Sequence, residues 1–210
     1  MLHLVRHGEA EGNRERRFIG QQDVVLSELG HRQAALVADR LARSGVVRVV
    51  SSDLARARAT AQPLAEALGV TIELDAGLRE VDNGLWSGLL ATEIEAGWPA
   101  MWAEYRAGAD VARPEGERWA DVAARARVVV ERLLDDGEPT AVFTHGGPLL
   151  CLAAWASGIA VAGNVFTGPI APAANGAITT ILPGPRLAAY NDTGHLGAAM
   201  QDDGRLPFLE

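Results

Sequence analysis

The chain has 210 residues, a formal charge of −8 and 48% hydrophobic residues. Those values suit one large globular domain; the acidic balance argues against nucleic acid, whose binders normally show a basic face. A single cysteine excludes an intrachain disulfide framework and a cysteine-rich zinc site, no apolar run reaches the roughly 18 residues that span a bilayer, and no charged-then-apolar leader is seen, so a cytoplasmic protein without membrane contact is expected.

Leu2 to Val5 reads as a short buried strand that ends in Arg6-His7-Gly8. Ligands of open α/β sheets bind outside the carboxyl ends of the strands. This strand end therefore delivers a guanidinium, an imidazole and a bare backbone N–H to one point, a set that suits phosphate. Glu9 to Gly20 is polar and reads as a turn and loop over the strand ends, with Asn13 near enough in sequence to fold back toward His7. Ser27 is a favoured N-cap for a helix reaching Leu41, with Gly45 as its stop. Val46 to Val50 is a β-branched strand. It runs into Ser51-Ser52-Asp53, three capping residues for a helix from about Leu54 to Leu68, closed by Gly69. Arg56 and Arg58 in its first turn oppose the helix dipole. Either an external anion binds there with Arg56, or Arg56 is simply solvated.

Val70 to Leu74 is a third strand, followed by Leu78-Arg79-Glu80 in a glycine-rich loop. Residues 89–118 are the least regular stretch and read as one or two short helices. They form an insertion that either packs on the main domain or, as a lid, shapes a pocket. Trp86, Trp98, Trp102 and Tyr105 are an apolar wall or part of the core. Arg79, Arg106 and Arg113 bind a carboxylate or a second phosphate, or are solvated. Trp119 to Asp136 is a helix with Gly137 as its stop. Thr140 to Phe143 is a buried strand ending in Thr144-His145-Gly146-Gly147, with a helix from about Pro148. The design of the N-terminus is thus repeated, and two such strands in one sheet bring two imidazoles together. Asn175 to Leu182 and Leu187 to Tyr190 read as an antiparallel pair near an edge, joined by Pro183-Gly184-Pro185.

Arg6, His7, Arg56, Glu80 and His145 each follow a strand end or lie in a loop beside one. Phosphoryl transfer needs in-line attack, cations on the oxygens and a proton for the leaving alkoxide. His7 can attack phosphorus, Arg6 and Arg56 can clamp oxygens, His145 can donate to a nonbridging oxygen, and Glu80 can protonate the leaving group. No metal or other cofactor is implied, and P-loop and His-Glu-x-x-His patterns are absent.

Five blocks, in order, carry a family resemblance over nearly the whole chain. Arg6-His7-Gly8-Glu9 with Asn13 resembles the opening signature of the histidine phosphatase, or phosphoglycerate mutase-like, superfamily. Gly20-Gln21-Gln22-Asp23 with Leu26-Ser27-Glu28-Leu29-Gly30 resembles its second block, although Val25 stands where proline is usual. Ser51-Ser52-Asp53-Leu54-Ala55-Arg56-Ala57, then Leu78-Arg79-Glu80 with Gly84, Trp86 and Gly88, then Thr144-His145-Gly146-Gly147 are similar to the remaining three. Asn191-Asp192-Thr193 with His195-Leu196 is similar to an ending common among the phosphatase members.

The resemblance implies a three-layer α/β/α sandwich with a mostly parallel central sheet and an antiparallel edge strand. It implies a phosphohistidine on His7 and a phosphate pocket of Arg6, Asn13, Arg56 and His145. Glu80 becomes the proton donor and acceptor, and the backbone N–H groups of Gly8 and Gly146 pack against phosphate. Gly20 and Gln22 join the substrate-binding set through their block. The mutases of the superfamily carry a paired-arginine motif in a longer insertion. Here Arg106, Arg113 and Arg118 are spaced apart, which favours a phosphatase acting on a small phosphate ester. A mutase and an inactive phospho-ligand binding module are the alternatives, and a monomer and a homodimer are both open.

Overall fold

The computed structural model describes residues 1–11, 15, 17–161 and 163–197. Six strands form one sheet: β1 (Leu2–Arg6), β2 (Arg48–Ser51), β3 (Ile72–Leu74), β4 (Thr140–Thr144), β5 (Ile178–Leu182) and β6 (Arg186–Asp192). Their spatial order is β3-β2-β4-β1-β5-β6. The first four in that order run parallel, and β5 pairs antiparallel with both β1 and β6. The helices are α1 (Glu28–Leu41), α2 (Ala55–Leu68), α3 (Ala91–Gly97), α4 (Pro99–Arg106), α5 (Trp119–Asp136) and α6 (Gly146–Ala156).

Alternating side chains put both faces of the central strands in contact with helices, as buried parallel sheets require. Leu4, Val50 and Val142 pack with Val130 and Leu133 of α5 and Leu149 of α6. Val5, Val49 and Phe143 pack on the other side with Val37 and Leu41 of α1 and Leu64 of α2. The three-layer sandwich follows directly. The antiparallel part is the expected hairpin, β5–β6, at one edge of the sheet.

Local signals placed most boundaries. Ser27 accepts from Gly30 N–H as the N-cap of α1, and Gly69 and Gly137 adopt the left-handed conformation that ends α2 and α5. The α2 cap differs from expectation. Leu54 is its N-cap, without a side-chain bond, and the Asp23 carboxylate takes the Ala55 N–H at 2.6 Å. The anion anticipated at that helix start is thus supplied in part by the chain. Helix α6 begins at Gly146, two residues before Pro148; proline is tolerated in a first turn, where the N–H has no helical partner.

The 89–118 insertion forms α3 and α4, whose Ile94, Trp102 and Tyr105 cluster with Phe18 and Trp86. Trp86 and Trp102 are core, not wall. Among the described residues no helix is long and apolar enough to cross a membrane.

Candidate active site

Strand register assembles the site. Arg6 pairs with Thr144 and Ser51 with Phe143, so three parallel strands end at one level. The next residues, His7 and His145, lie with ring centroids 5.1 Å apart and planes at 60°. Arg6, His7, Arg56, Glu80, Gly20 and Gly146 line one cavity.

His7 Nδ1 lies 2.7 Å from the Gly8 carbonyl oxygen. A carbonyl only accepts, so Nδ1 carries the proton and Nε2 keeps its lone pair. Arg56 Nε donates to that Nε2 at 3.2 Å, while its Nη1 and Nη2 donate to the Gln22 and Gly20 carbonyls at 2.8 and 2.7 Å. Burial lowers the Arg56 pKa to about 10, which leaves it cationic at neutral pH. Arg6 donates through Nη1 to the Ala173 carbonyl, and its Nε is buried without a partner. A buried donor left over beside an unprotonated imidazole nitrogen fits an incoming oxyanion.

His145 is fully buried and, unlike the expectation for it, does not line this cavity; its Nε2 lies 2.8 Å from Ser52 Oγ and its Nδ1 is unpartnered. Glu80 is half-buried and lines the same cavity. Its Oε1 accepts from its neighbour Val81 N–H at 2.9 Å and its Oε2 from Gly147 N–H at 3.2 Å.

Two further expectations change. The Gly8 N–H is given to Thr60 Oγ1 at 3.0 Å rather than to the cavity. Gly8 is required for a different reason: a Cβ there would lie 2.5 Å from the Gly30 carbonyl oxygen, where the strand end crosses α1. Gln22 is exposed and lies outside the cavity lining; its carbonyl holds Arg56 and its side chain lies beneath Gly88. Gly20, which does line the cavity, likewise gives its carbonyl to Arg56. Asn13 falls outside the described residues.

Sequence reasoning missed Ser52 as the partner of His145, having treated it only as a helix cap. It also missed Gly147, where a Cβ would lie 2.5 Å from the Trp119 ring and overlap Glu80 Oε1. The doubled glycine after His145 was the available signal.

Burial first, and Arg56 next, hold His7 and His145 well below the ordinary histidine pKa of 6.5. Both are neutral when folded, so the unfolded chain binds more protons below pH 6.5. Stability is then fully present above about pH 6.5 and is lost as pH falls toward the folded values, by up to about 1.4 kcal/mol per pH unit for each histidine. His3 and His195 shift the same way. Denaturant titrations at pH 7.5 and 5.5 are expected to show this loss, and His7→Gln to reduce it. Equal slopes in parent and variant would contradict the assignment.

The histidine phosphatase superfamily (branch 1) model matches residues 2–193. The chain belongs to this superfamily. Among relatives of this histidine phosphatase, a glucosyl-3-phosphoglycerate phosphatase of Mycobacterium tuberculosis is 37% identical over 163 residues, 73% of each chain. A probable phosphoglycerate mutase, GpmB, of Serratia proteamaculans is 36% identical over 156 residues, 72% of each. Among solved structures, Bacillus stearothermophilus YhfR superposes with a TM-score of 0.83 at 30% identity, covering 92% of this chain and 98% of that one. The native structure of a mycobacterial glucosyl-3-phosphoglycerate phosphatase superposes with a TM-score of 0.79 at 32% identity, covering 91% and 98%.

Proposed function

We propose that this histidine phosphatase hydrolyses a small phosphomonoester through a phosphohistidine on His7. The observation that carries the reading is the fixed His7 tautomer: Nδ1 is tied to Gly8, and Nε2 faces the cavity shared by the Arg6 and Arg56 guanidiniums. His7 Nε2 attacks phosphorus as the ester P–O bond breaks, and the protonated Glu80 carboxyl gives its proton to the leaving alkoxide. Water then attacks the phosphorus and loses a proton to the Glu80 carboxylate as the P–N bond breaks. Inorganic phosphate leaves, and His7 returns to its neutral state. Arg6 and Arg56 neutralise the phosphoryl oxygens throughout. His145, neutral and bonded to Ser52, packs against His7 without lining the cavity.

The leaving group has its own recognition element. Arg113 is only 2% exposed yet lines the cavity. Its guanidinium stacks 4.5 Å from the Trp119 ring centroid and 5.5 Å from that of Tyr105. One nitrogen donates to the Glu117 carbonyl, Nε has no partner, and no carboxylate among the described residues pairs with it. A buried cation without an anion is costly, so the substrate supplies one. Trp119 also borders Gly147 beside Glu80, which supports a role for Arg113 on the leaving-group side. A phosphorylated carboxylic acid is the matching class, and the relatives named for phosphoglycerate esters support it.

Phosphate release with EDTA present, from esters with and without a carboxylate, tests the reading. Arg113→Met is expected to raise KM for the carboxylate-bearing ester about tenfold or more and to leave an uncharged alkyl ester nearly unchanged. Equal changes on both would remove Arg113 from recognition. Isomerisation of 3-phosphoglycerate faster than phosphate release from any ester would replace the phosphatase reading with a mutase.

A further inference from the structure

Glu80 must swap between acid and base without leaving its place, yet it sits in a loop with little regular structure around it. Arg125, on α5, spends all five guanidinium N–H groups on that loop and on Glu117. Its Nη1 donates to the Gly77 and Arg79 carbonyls at 2.9 and 2.6 Å, and its Nη2 to the Glu80 carbonyl at 2.9 Å. The remaining donors form a two-point pair with the Glu117 carboxylate at 2.8 and 2.9 Å. Glu117 Oε2 in turn accepts the Asp82 N–H at 2.8 Å. The loop is thus held by its carbonyls at 77, 79 and 80 and by its amide at 82, on both sides of the acid. Gly77 makes the approach possible, since a Cβ there would lie 2.6 Å from Val129 and 3.3 Å from the Arg125 carbonyl oxygen.

We propose that the Arg125–Glu117 pair is the positioning device for the proton-transfer residue, acting on Glu80 solely through its main chain. This inference rests on Glu80 being the acid of the phosphatase reaction. Among the described residues Arg125 makes no bond to the Glu80 carboxylate or to any other group of the phosphate pocket, so its loss misplaces the proton and leaves phosphate binding intact. Lysine, a point charge with three donors, cannot reproduce the planar fork.

The test compares Arg125→Lys with the parent on an alkyl phosphate, whose leaving group needs a proton, and on p-nitrophenyl phosphate, whose leaving group does not. The measured quantity is kcat/KM, which reports transfer to His7. A misplaced acid is expected to cost the alkyl ester about 10- to 100-fold, with p-nitrophenyl phosphate and inhibition by inorganic phosphate changing less than about threefold. In a Glu80→Gln background, Arg125→Lys is expected to add no further loss on the alkyl ester, since coupled groups are not additive. Equal falls on both esters, a fully additive double variant, or no fall on the alkyl ester would each overturn the proposal. Glu117→Gln, which weakens the pair and retains the volume, carries the same measurements if Arg125→Lys does not fold. Activity that survives His7→Ala would instead overturn the covalent reading, and this inference with it.

Discussion

His7→Ala is expected to lower phosphate release from any monoester by on the order of 10⁴-fold, because it removes the one imidazole that lines the cavity among the described residues. His145 cannot replace it. Its Nε2 is engaged by Ser52, and it does not line the cavity. Arg6 and Arg56 remain, so inorganic phosphate is expected to bind the variant with affinity close to that of the parent. Rapid acid-free quenching of the parent with labelled substrate should trap a phosphoenzyme that is stable in alkali and labile in acid, as a phosphoramidate is. The variant should trap none. Label on another residue, or turnover near the parental rate, would remove His7 from the nucleophile's role.

Gly147→Ala is the second large effect, and it separates proton transfer from phosphate binding. The added methyl would collide with Glu80 Oε1 and lie 2.5 and 2.9 Å from two Trp119 ring carbons. The glutamate is the more easily displaced, because its side chain rotates while the indole is buried. Turnover of an alkyl ester should fall about 100-fold, with a smaller loss on p-nitrophenyl phosphate. Overpacking against Trp119 should cost about 1–3 kcal/mol of stability, read as a lower Tm. An unchanged rate on the alkyl ester would show that Glu80 has room to move and still work, and would weaken its assignment as the acid. Gly146→Ala is the contrasting case, at a residue that lines the phosphate cavity itself. A Cβ there meets Arg6 Nε at 3.5 Å and Glu80 Oε2 only at 3.9 Å, ordinary contacts that displace neither.

The two glycines show how unevenly function is written in the chain. Both follow His145 and both belong to a recognisable block, yet only their surroundings tell them apart. Gly8 teaches the same lesson from the other end: its place beside His7 suggested a phosphate contact, whereas its N–H serves Thr60, 52 positions away in sequence.

By itself the sequence determined the strand ends that carry Arg6-His7 and His145-Gly146, the helix stops at Gly69 and Gly137, the Ser27 cap and the family. The family rests on the resemblance of five ordered blocks; the rest follow from local physics: the period of the apolar residues, the φ values open to glycine, and the side-chain oxygens that satisfy a helix's first N–H groups. Only the tertiary structure decided what joins distant segments. Asp23 caps α2 across 32 positions, Arg125 reaches Gly77 across 48, and Ser52 meets His145 across 93. It also turned Trp86 and Trp102 inward while leaving Arg113 buried at the cavity. No periodicity encodes such contacts, because they depend on sheet order and strand register, which the chain settles only when the whole core is buried at once.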